Sequence, residues 1–446
     1  MKKTRWCIRL LFMVLTALSI LNLQEARADS ESDEIVAFDL LTVKEPGSQA
    51  ESRLRVIRLT TRSGASGYGD YLDFGLPAEN EEEALARLVN RYAAQNHKKN
   101  IFLTDPSMRA VGVGHTILGQ TADQILNAPP ITGLGVNALF PRAGFGPMWQ
   151  GPGKSGLVIA LQAALLDLAG EKGPCRVRLC PSISIDREVD GKRRLSTADE
   201  MQQTVASLKE AGFTAVRLEL AGALEDEMSA RGECAPYRYP QEVLGRIDRL
   251  VLASRKASGS DMALVVAANM NLSTDGMTFL ALHCQRNEVT LVENPMALRH
   301  LREQCEARKE FSQPLGFGGD FHVIEDFVQG IRKQAGTVLV PDAGRIGGVK
   351  MLARTADLAK EARLKIAPVV KGGPLSLLAV ARSLSGRDEV LWVTSPNQEQ
   401  WLVDDGVLKK PLRMTQGSLD ADSYEIDVTK FQVKSIAQVE TKPKEK

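Results

Sequence analysis

The stretch from 264 to 370 repeats one pattern, in which a short apolar run ends at a polar position and a helical sequence follows. Short apolar runs without alternation are typical of strands buried on both faces of a parallel sheet. A helical stretch between each pair of runs indicates βα units. The stretch therefore predicts an α/β fold. The runs read LVV at 264–266, VTLV at 289–292, PLGF at 314–317, TVLV at 337–340 and KIA at 365–367.

Acidic residues stand at the ends of three of these predicted strands. They are Glu293, Asp320 and Asp342. In a (β/α)₈ barrel the active site lies at the carboxyl ends of the strands. We therefore expect the three acids to converge on one mouth of the sheet.

The alternation of strand and helix extends on both sides of this stretch. The residues from 34 to 75 and from 404 to 431 are strand-like and rich in turns. A strand at 390–393 is predicted to close a ring with the earlier strands. The other predicted elements are helices at 81–95, 156–170, 196–211 (with Ser196 as N-cap) and 241–256, and strands at 183–185 and 214–220.

The composition is that of a globular protein with a large core. The chain has 446 residues, of which 43% are hydrophobic and 25% charged, and its formal net charge is +1. These values are ordinary for a soluble domain. A nearly neutral chain gives no reason to expect nucleic acid or an anionic membrane as a partner.

The first 28 residues have the features of a signal peptide. Four basic residues precede the apolar stretch 10–21, and Ala26-Arg27-Ala28 supplies a small-x-small cleavage pattern. The apolar stretch is too short to span a bilayer comfortably. We expect an exported protein, periplasmic or extracellular, with no membrane contact after cleavage. The alternative is an uncleaved membrane anchor.

Five cysteines remain after the predicted cleavage site, so at least one thiol has no partner within the chain. Bridges from Cys284 to Cys305 or from Cys175 to Cys180 are open alternatives. Buried free cysteines are favoured for most of them. No CxxC or His-rich spacing is present, which argues against zinc.

Several motifs, taken in order, resemble one family. Leu54 to Asp70 ends in a Gly-aromatic-Gly-acid turn, and 160–170 reads ALQAALLDLAG. The strand end VENP spans 292–295, and PDAGRIGGV spans 341–349. Together they resemble the enolase superfamily, of the mandelate racemase and muconate lactonizing enzyme type, over about Glu34 to Phe431.

This resemblance implies a fold and a domain organisation. Such proteins place an α+β capping domain, formed by both termini, over a modified (β/α)₇β barrel of the TIM type. The implied organisation is a signal peptide at 1–28, an N-terminal capping domain at 29–155 and a barrel domain at 156–395. The segment 396–446 would return to the cap and finish in a charged, disordered end.

The resemblance also implies a chemistry, which is abstraction of a proton α to a carboxylate with the enediolate held on Mg²⁺. The family takes three metal-binding acids from the ends of strands three, four and five. In this chain Ala267 occupies the strand-three position. Glu293 matches the second ligand, and Asp320 resembles the third with one methylene fewer.

The family's bases are also substituted. Its Lys-x-Lys on strand two reads Arg217-Leu218-Glu219, and guanidinium is a poor base because it does not release its proton. Asp342 matches the Asp of the family's Asp-His pair, but Val369 stands at the His position. Lys371 follows two residues later.

A compensating arrangement follows as a hypothesis. Glu219, Glu293 and Asp320 would hold Mg²⁺ as the metal ligands, since crowded carboxylates favour a cation. The predicted catalytic residues are Lys371 as the base, Asp342 as the group that orients it, and Arg217. A structural alternative stays open, in which Arg217 pairs with Glu219 or Glu293, and Asp342 pairs with Arg345 or caps a helix.

Two main functions are compatible with these residues. The first is an exported racemase, epimerase or dehydratase that acts on a small carboxylate. The alternative is a non-catalytic protein that binds a small carboxylate on the same fold, or one that uses the barrel only as a scaffold. Cap segments at 43–52 and 71–76 would select the ligand, and a homo-oligomer is left open.

Overall fold

The structure is a computed structural model of the 446-residue chain. It describes residues 33–44, 54–72, 121–127, 152–171, 173–189, 192–220, 224, 228, 231, 236–269, 272–310, 312–396, 408–410, 412–421 and 424–438. The predicted signal peptide, the helix at 81–95, Cys234, the charged end and most of the two ligand-selecting cap segments lie outside the described residues.

Strands and helices are numbered along the described parts of the chain. The strands are β1 Ile35–Val43, β2 Leu54–Thr61, β3 Ser66–Leu72, β4 Cys175–Ser184, β5 Asp186–Val189, β6 Lys192–Leu195, β7 Ala215–Glu219, β8 Ala263–Ala267, β9 Leu291–Glu293, β10 Leu315–Phe317, β11 Val338–Leu339, β12 Lys365–Ile366, β13 Val393–Pro396, β14 Met414–Thr415, β15 Ser418–Ala421 and β16 Phe431–Gln438. The helices are α1 Ala122–Asn127, α2 Pro152–Leu168, α3 Ala198–Glu210, α4 Gln241–Ser258, α5 Thr274–Arg286, α6 Leu301–Ala307, α7 Ile324–Arg332, α8 Val349–Glu361 and α9 Pro374–Leu384.

An antiparallel sheet joins strands from distant parts of the chain. Its strand order is β16-β1-β2-β3, so β16 from the C-terminal region pairs directly with β1. Both faces of β2 carry buried apolar side chains, Leu54 and Val56 on one face and Ile57 and Leu59 on the other, which suits a strand in the middle of the sheet. Strand-like sequence at both ends therefore forms one sheet.

Helix α2 covers this sheet at very close range. A Cβ atom at Gly67 or Gly69 would overlap the backbone carbonyl oxygen of Ala164 or Ala160, respectively, on α2. The predicted Gly-aromatic-Gly-acid turn is wrong, because both glycines lie within strand β3, where they allow strand and helix to touch backbone to backbone. The helix begins at Pro152, four residues before the predicted start, since proline is well accommodated in the first turn of a helix.

The second sheet carries the predicted βα units. Its order is β12-β11-β10-β9-β8-β7-β4, and all of these neighbours pair in parallel. Strand β13 also pairs in parallel with β4, whereas β15 and β14 extend β4 on its antiparallel side. The chain is therefore α/β, with a mainly parallel sheet and a separate antiparallel one.

Short backbone contacts link β12 to β13, at the two ends of this strand order. Isolated parallel bridges join Ile366 to Val390 and Val369 to Thr394. The amide of Thr394 donates to the Pro368 carbonyl at 2.9 Å, and the amide of Val370 donates to Thr394 at 2.7 Å. The final strand lies at Val393–Pro396, three residues later than predicted.

The parallel strands contribute a second set of apolar side chains to the interior. Most of them come from a different strand each. They form a cluster separate from the main core that packs helices against strands. Its buried members are Cys180, Ala215, Val265, Leu291, Val338, Val340, Ala367 and Trp392.

The predicted cap of α3 is wrong by one residue, whereas the prediction of free cysteines is confirmed for the described cysteines. Helix α3 is capped by Thr197, not by the predicted Ser196, because Glu200 lies at the position that completes a capping box with Thr197. The Glu200 carboxylate accepts from the Thr197 amide at 2.7 Å. Cys175, Cys180, Cys284 and Cys305 are free, as favoured from the sequence.

In the described chain no helix is both long and apolar enough to cross a membrane.

Candidate functional site

Charged side chains meet at the carboxyl ends of the parallel strands. Arg217, on β7, lies at the centre of this group. Its Nε donates to Oε2 of Glu293 on β9 at 2.8 Å, and its Nη1 donates to the hydroxyl of Ser182 on β4 at 2.7 Å. We call the whole group the charged cluster, and its members are Ser182, Arg217, Glu219, Glu293, Asp342 and Lys371.

Glu293 is the most deeply buried acid of the charged cluster, with an exposed fraction of 0%. Burial raises the pKa of Glu293, and attraction to Arg217 opposes that rise. Its Oε2 is bonded to Arg217, whereas Oε1 has no hydrogen-bond partner within the described residues. Glu293 therefore depends on one guanidinium for compensation of its charge.

Glu219 lies two residues beyond Arg217 on β7 and is 37% exposed. Its Oε2 lies 3.6 Å from Nη1 of Arg217 and accepts from the Ser182 hydroxyl at 3.4 Å. Burial acts to raise the pKa of Glu219, but attraction to Arg217 and Lys371 outweighs it, so the pKa is lowered. Glu219 is thus a carboxylate that faces the edge of the cluster.

The strand register places an alanine between these two carboxylates. Glu219 of β7 pairs with Ala267 of β8, and Ala267 pairs with Glu293 of β9. Residues in register on neighbouring strands share a face of the sheet. Ala267 is fully buried, at the position where the family resemblance implies an acid.

Lys371 and Asp342 form the second part of the charged cluster. Nζ of Lys371 lies 3.9 Å from Oδ2 of Asp342, which is the pair predicted from the sequence. Oδ1 of Asp342 accepts from the backbone amides of Gly344 and Arg345 at 3.2 and 3.1 Å. Asp342 therefore orders the turn after β11 and also contacts Lys371.

Asp320 has a different environment from the other predicted ligands. Its Oδ2 accepts from the backbone amide of Leu298 at 2.7 Å. Burial raises the pKa of Asp320, opposed first by this amide. The turn that holds it is tied to β9 through Asn294, whose Oδ1 accepts from the Gly319 amide at 2.9 Å. Asp320 thus stabilises a turn beside the cluster.

These contacts do not fit the magnesium ion that the resemblance implies. Mg²⁺ requires nearly octahedral oxygen ligands and is usually held by carboxylates and water. Within the described parts of the chain, no group of three or more His, Cys, Asp and Glu side chains is placed to hold a metal. Arg217 lies between Glu219 and Glu293 and is bonded to Oε2 of Glu293, so the carboxylates that would hold a hard cation already face a cation of the chain.

The site includes two residues to which the sequence had given no catalytic or ligand role. Ser182 contacts both Arg217 and Glu219, and it became recognisable only when β4 and β7 were paired in register. Asn269 has a left-handed backbone with φ of 51°, and its side chain bonds Glu219. A polar residue just after an apolar strand was the available signal for Asn269, whereas Ser182 lies within β4 and no local pattern marked it.

Comparisons with known proteins identify a family and similar folds. A family model described as Enolase C-terminal domain-like matches residues 200–424, just over half of the chain. A comparison with curated proteins gives no match.

Solved structures share the fold over most of the chain. A mandelate racemase/muconate lactonizing enzyme-like protein from Rubrobacter xylanophilus DSM 9941 is similar with a TM-score of 0.66 and 14% identity, over 90% of this chain and 96% of that one. A mandelate racemase/muconate lactonizing enzyme from Jannaschia sp. CCS1 is similar with a TM-score of 0.62 and 17% identity, over 90% and 95%.

Proposed function

The chain belongs to the enolase superfamily, of the mandelate racemase and muconate lactonizing enzyme type, and from this premise we propose that it binds a small organic carboxylate at the carboxyl ends of its parallel strands. One observation carries the proposal. Lys371 and Glu219 remain partly exposed, at 29% and 37%, while Arg217 and Glu293 beneath them are buried and paired.

Lys371 has the chemistry of an anion receptor. An ammonium group offers three donors and no acceptor, so its free donors suit a carboxylate oxygen. Asp342 lies 3.9 Å from its Nζ, and Glu219 is also near enough to be attracted by it. Glu219 is an acceptor for a hydroxyl or ammonium group of the same ligand. Small hydroxy acids, sugar acids and amino-acid derivatives carry both features.

Thermal unfolding in the presence of a ligand panel tests this function. Hydroxy acids, sugar acids and N-acyl amino acids, each in EDTA, are compared with their neutral amides. A carboxylate that raises the melting temperature should bind about tenfold or more weakly to Lys371→Gln, since one charge-assisted hydrogen bond is lost.

Lys365→Gln is the matched control. Lys365 begins β12, whereas Lys371 follows that strand, so the two lysines mark opposite ends of it. Lys365 donates to the Asp388 carbonyl at 2.9 Å and has no part in the charged cluster. Equal weakening by both substitutions, or equal binding of acids and amides, would contradict a specific carboxylate receptor at Lys371.

A second candidate is proton abstraction α to the bound carboxylate, with Lys371 as the base. The contact between Lys371 and Asp342 favours it, because an acid that orients a base is the arrangement general base catalysis requires. Exchange of the ligand's α-hydrogen in deuterated water, followed by NMR in EDTA, tests it. Exchange that persists in Lys371→Met would exclude this lysine as the base.

The complete enolase-type architecture is part of the proposal. We infer that the eight parallel strands close into a (β/α)₇β barrel, supported by the pairing of β13 with β4 and by the bridges from β12 to β13. The antiparallel sheet with α2 would be the cap. A small-angle scattering profile matching a separate open sheet would contradict closure.

Export is a proposal that rests on the sequence at 1–28. The basic start, apolar stretch and small-x-small pattern predict cleavage after Ala28. N-terminal sequencing of protein recovered outside the cytoplasm should begin at Asp29. Recovery of the full-length chain in the cytoplasm would exclude export.

A further inference from the structure

We propose that Arg217 is the resident cation of the charged cluster and takes the place of the divalent cation that enolase-type chemistry would require. The inference does not depend on which ligand binds at Lys371. It concerns what neutralises the carboxylates at the strand ends, and it predicts a cluster whose integrity is independent of Mg²⁺.

The contacts of Arg217 are those of a bridging cation. Nε reaches Glu293 at 2.8 Å, and Nη1 reaches Glu219 at 3.6 Å and Ser182 at 2.7 Å. The guanidinium therefore connects three strands, β4, β7 and β9. A planar group with five fixed donors is suited to such a bridge, and it stays charged at every physiological pH.

Ala267 is the second residue on which the proposal rests. It lies in register between Glu219 and Glu293, on the strand that Arg217 must cross to reach Glu293. An acid at this position would add a third carboxylate to the row, which is a ligand set for a divalent cation. Alanine leaves two carboxylates and one guanidinium, which is a smaller and partly balanced set of charges.

Electrostatics explains why both cations do not occupy one cluster. A divalent ion bound by Glu293 would lie beside the guanidinium, and like charges at such distances repel strongly where the dielectric is low. Arg217 has only 7% of its side chain exposed, so solvent screens that repulsion weakly. Arg217 therefore excludes a metal from the carboxylates that it bridges.

Four proteins test the proposal: wild type, Ala267→Asp, Arg217→Met and the double variant. The readouts are the melting temperature in EDTA and in MgCl₂, and the EPR signal of added Mn²⁺. We expect no response from wild type or from Ala267→Asp, because Arg217 is present in both. The double variant should bind Mn²⁺ and gain about 4 °C at Mg²⁺ concentrations a hundredfold above its Kd.

Arg217→Lys is an additional variant that retains a cation should Arg217→Met fail to fold. It should remain unresponsive to Mg²⁺. Stabilisation of wild type, Ala267→Asp or Arg217→Lys by Mg²⁺, or binding of Mn²⁺ to any of these three, would overturn the proposal. Because every readout uses the metal alone, absence of carboxylate binding would contradict the proposed function and leave this result intact.

Discussion

Two regions of the molecule bury a carboxylate completely, and they compensate it in different ways. In the charged cluster, Glu293 is paired with the side chain of Arg217 at 2.8 Å. Where the antiparallel sheet meets α9, Asp70 accepts from the backbone amides of Leu375 and Ser376 at 2.8 and 2.9 Å. Both carboxylates have an exposed fraction of 0%.

The difference lies in what each carboxylate holds together. Asp70 binds the first turn of α9, where backbone amides lack intrahelical partners and the helix dipole favours an anion. It thereby attaches β3 to a helix of the other sheet. Glu293 is held by the full positive charge of Arg217. The guanidinium therefore occupies the space and the carboxylate oxygen that a ligand or metal would otherwise use. The backbone amides at Asp70 join the antiparallel sheet to α9, whereas the Arg217 side chain determines which ligands the charged cluster can accept.

The largest effect is expected from breaking the ion pair of Glu293. Arg217→Met should lower the free energy of unfolding by about 3–5 kcal/mol, because it leaves a buried carboxylate uncompensated. The double variant Arg217→Met with Glu293→Leu should recover much of that loss, since an apolar pair of similar volume avoids the desolvation penalty. Urea unfolding measures both.

The outcome separates charge compensation from simple packing. If the double variant is less stable than Arg217→Met by the full cost of a second core substitution, then the pair contributes through its shape, and its charges do not govern this site. Ser182→Ala serves as a control, because it removes one partner of Arg217 and leaves Glu293 paired.

The next effect is a pH dependence at Asp70. Burial raises the pKa of Asp70 from 3.8 to about 6, although the amides of Leu375 and Ser376 act against the rise. The folded state therefore binds more protons than the unfolded state between these values. The stabilisation is complete below about pH 4 and is lost as the pH rises through 6, in total about 3 kcal/mol.

Asp70→Asn is the reference that isolates this titration. The free energy of unfolding of wild type minus that of the variant should fall between pH 4 and pH 7, because asparagine binds no proton in this range. A difference that stays constant with pH would mean that Asp70 has the same pKa in both states. A difference that rises with pH would mean that the amides outweigh burial.

Local patterns predicted the strand ends and the pair of Lys371 with Asp342, but they did not decide the role of Arg217. The apolar runs and the acids after them are properties of neighbouring residues, and Glu293 and Asp342 indeed reach the charged cluster. The bridge from Arg217 to Glu293 spans 76 positions. It depends on the strand register, which the sequence does not give, so ion pairing and metal binding both stayed open. Asp320 looked like a ligand because nothing local marks the distant amide of Leu298.

The contacts of β3 with α2 and α9 were also beyond what local patterns could predict. The Gly-aromatic-Gly-acid motif was visible in the sequence but was wrongly interpreted as a turn, because Gly69 and Asp70 meet segments that are 90 or more positions away. Thr197 is the opposite case, since a capping box is a local pattern and only the choice between two adjacent hydroxyls was wrong.

A smaller effect on stability is expected from adding a methyl group where β3 lies against α2. Gly69→Ala places a methyl group against the Ala160 carbonyl of α2, and backbone cannot move aside as a side chain can. Overpacking of this kind should lower the free energy of unfolding by about 2 kcal/mol or more. The charged cluster should keep its properties, so carboxylate binding per folded molecule should remain unchanged.

Gly245→Ala is the matched substitution and carries the smallest effect. Gly245 lies within α4, and no atom is near enough to meet an added Cβ. Alanine should therefore raise the free energy of unfolding by about 0.5–1 kcal/mol, because glycine loses more backbone entropy in a helix. Opposite signs for Gly69→Ala and Gly245→Ala in one urea series would assign the first to close packing. Absence of a loss for Gly69→Ala would instead contradict the tight contact between the antiparallel sheet and α2, and Asp70 would then attach β3 to α9 without support from that contact.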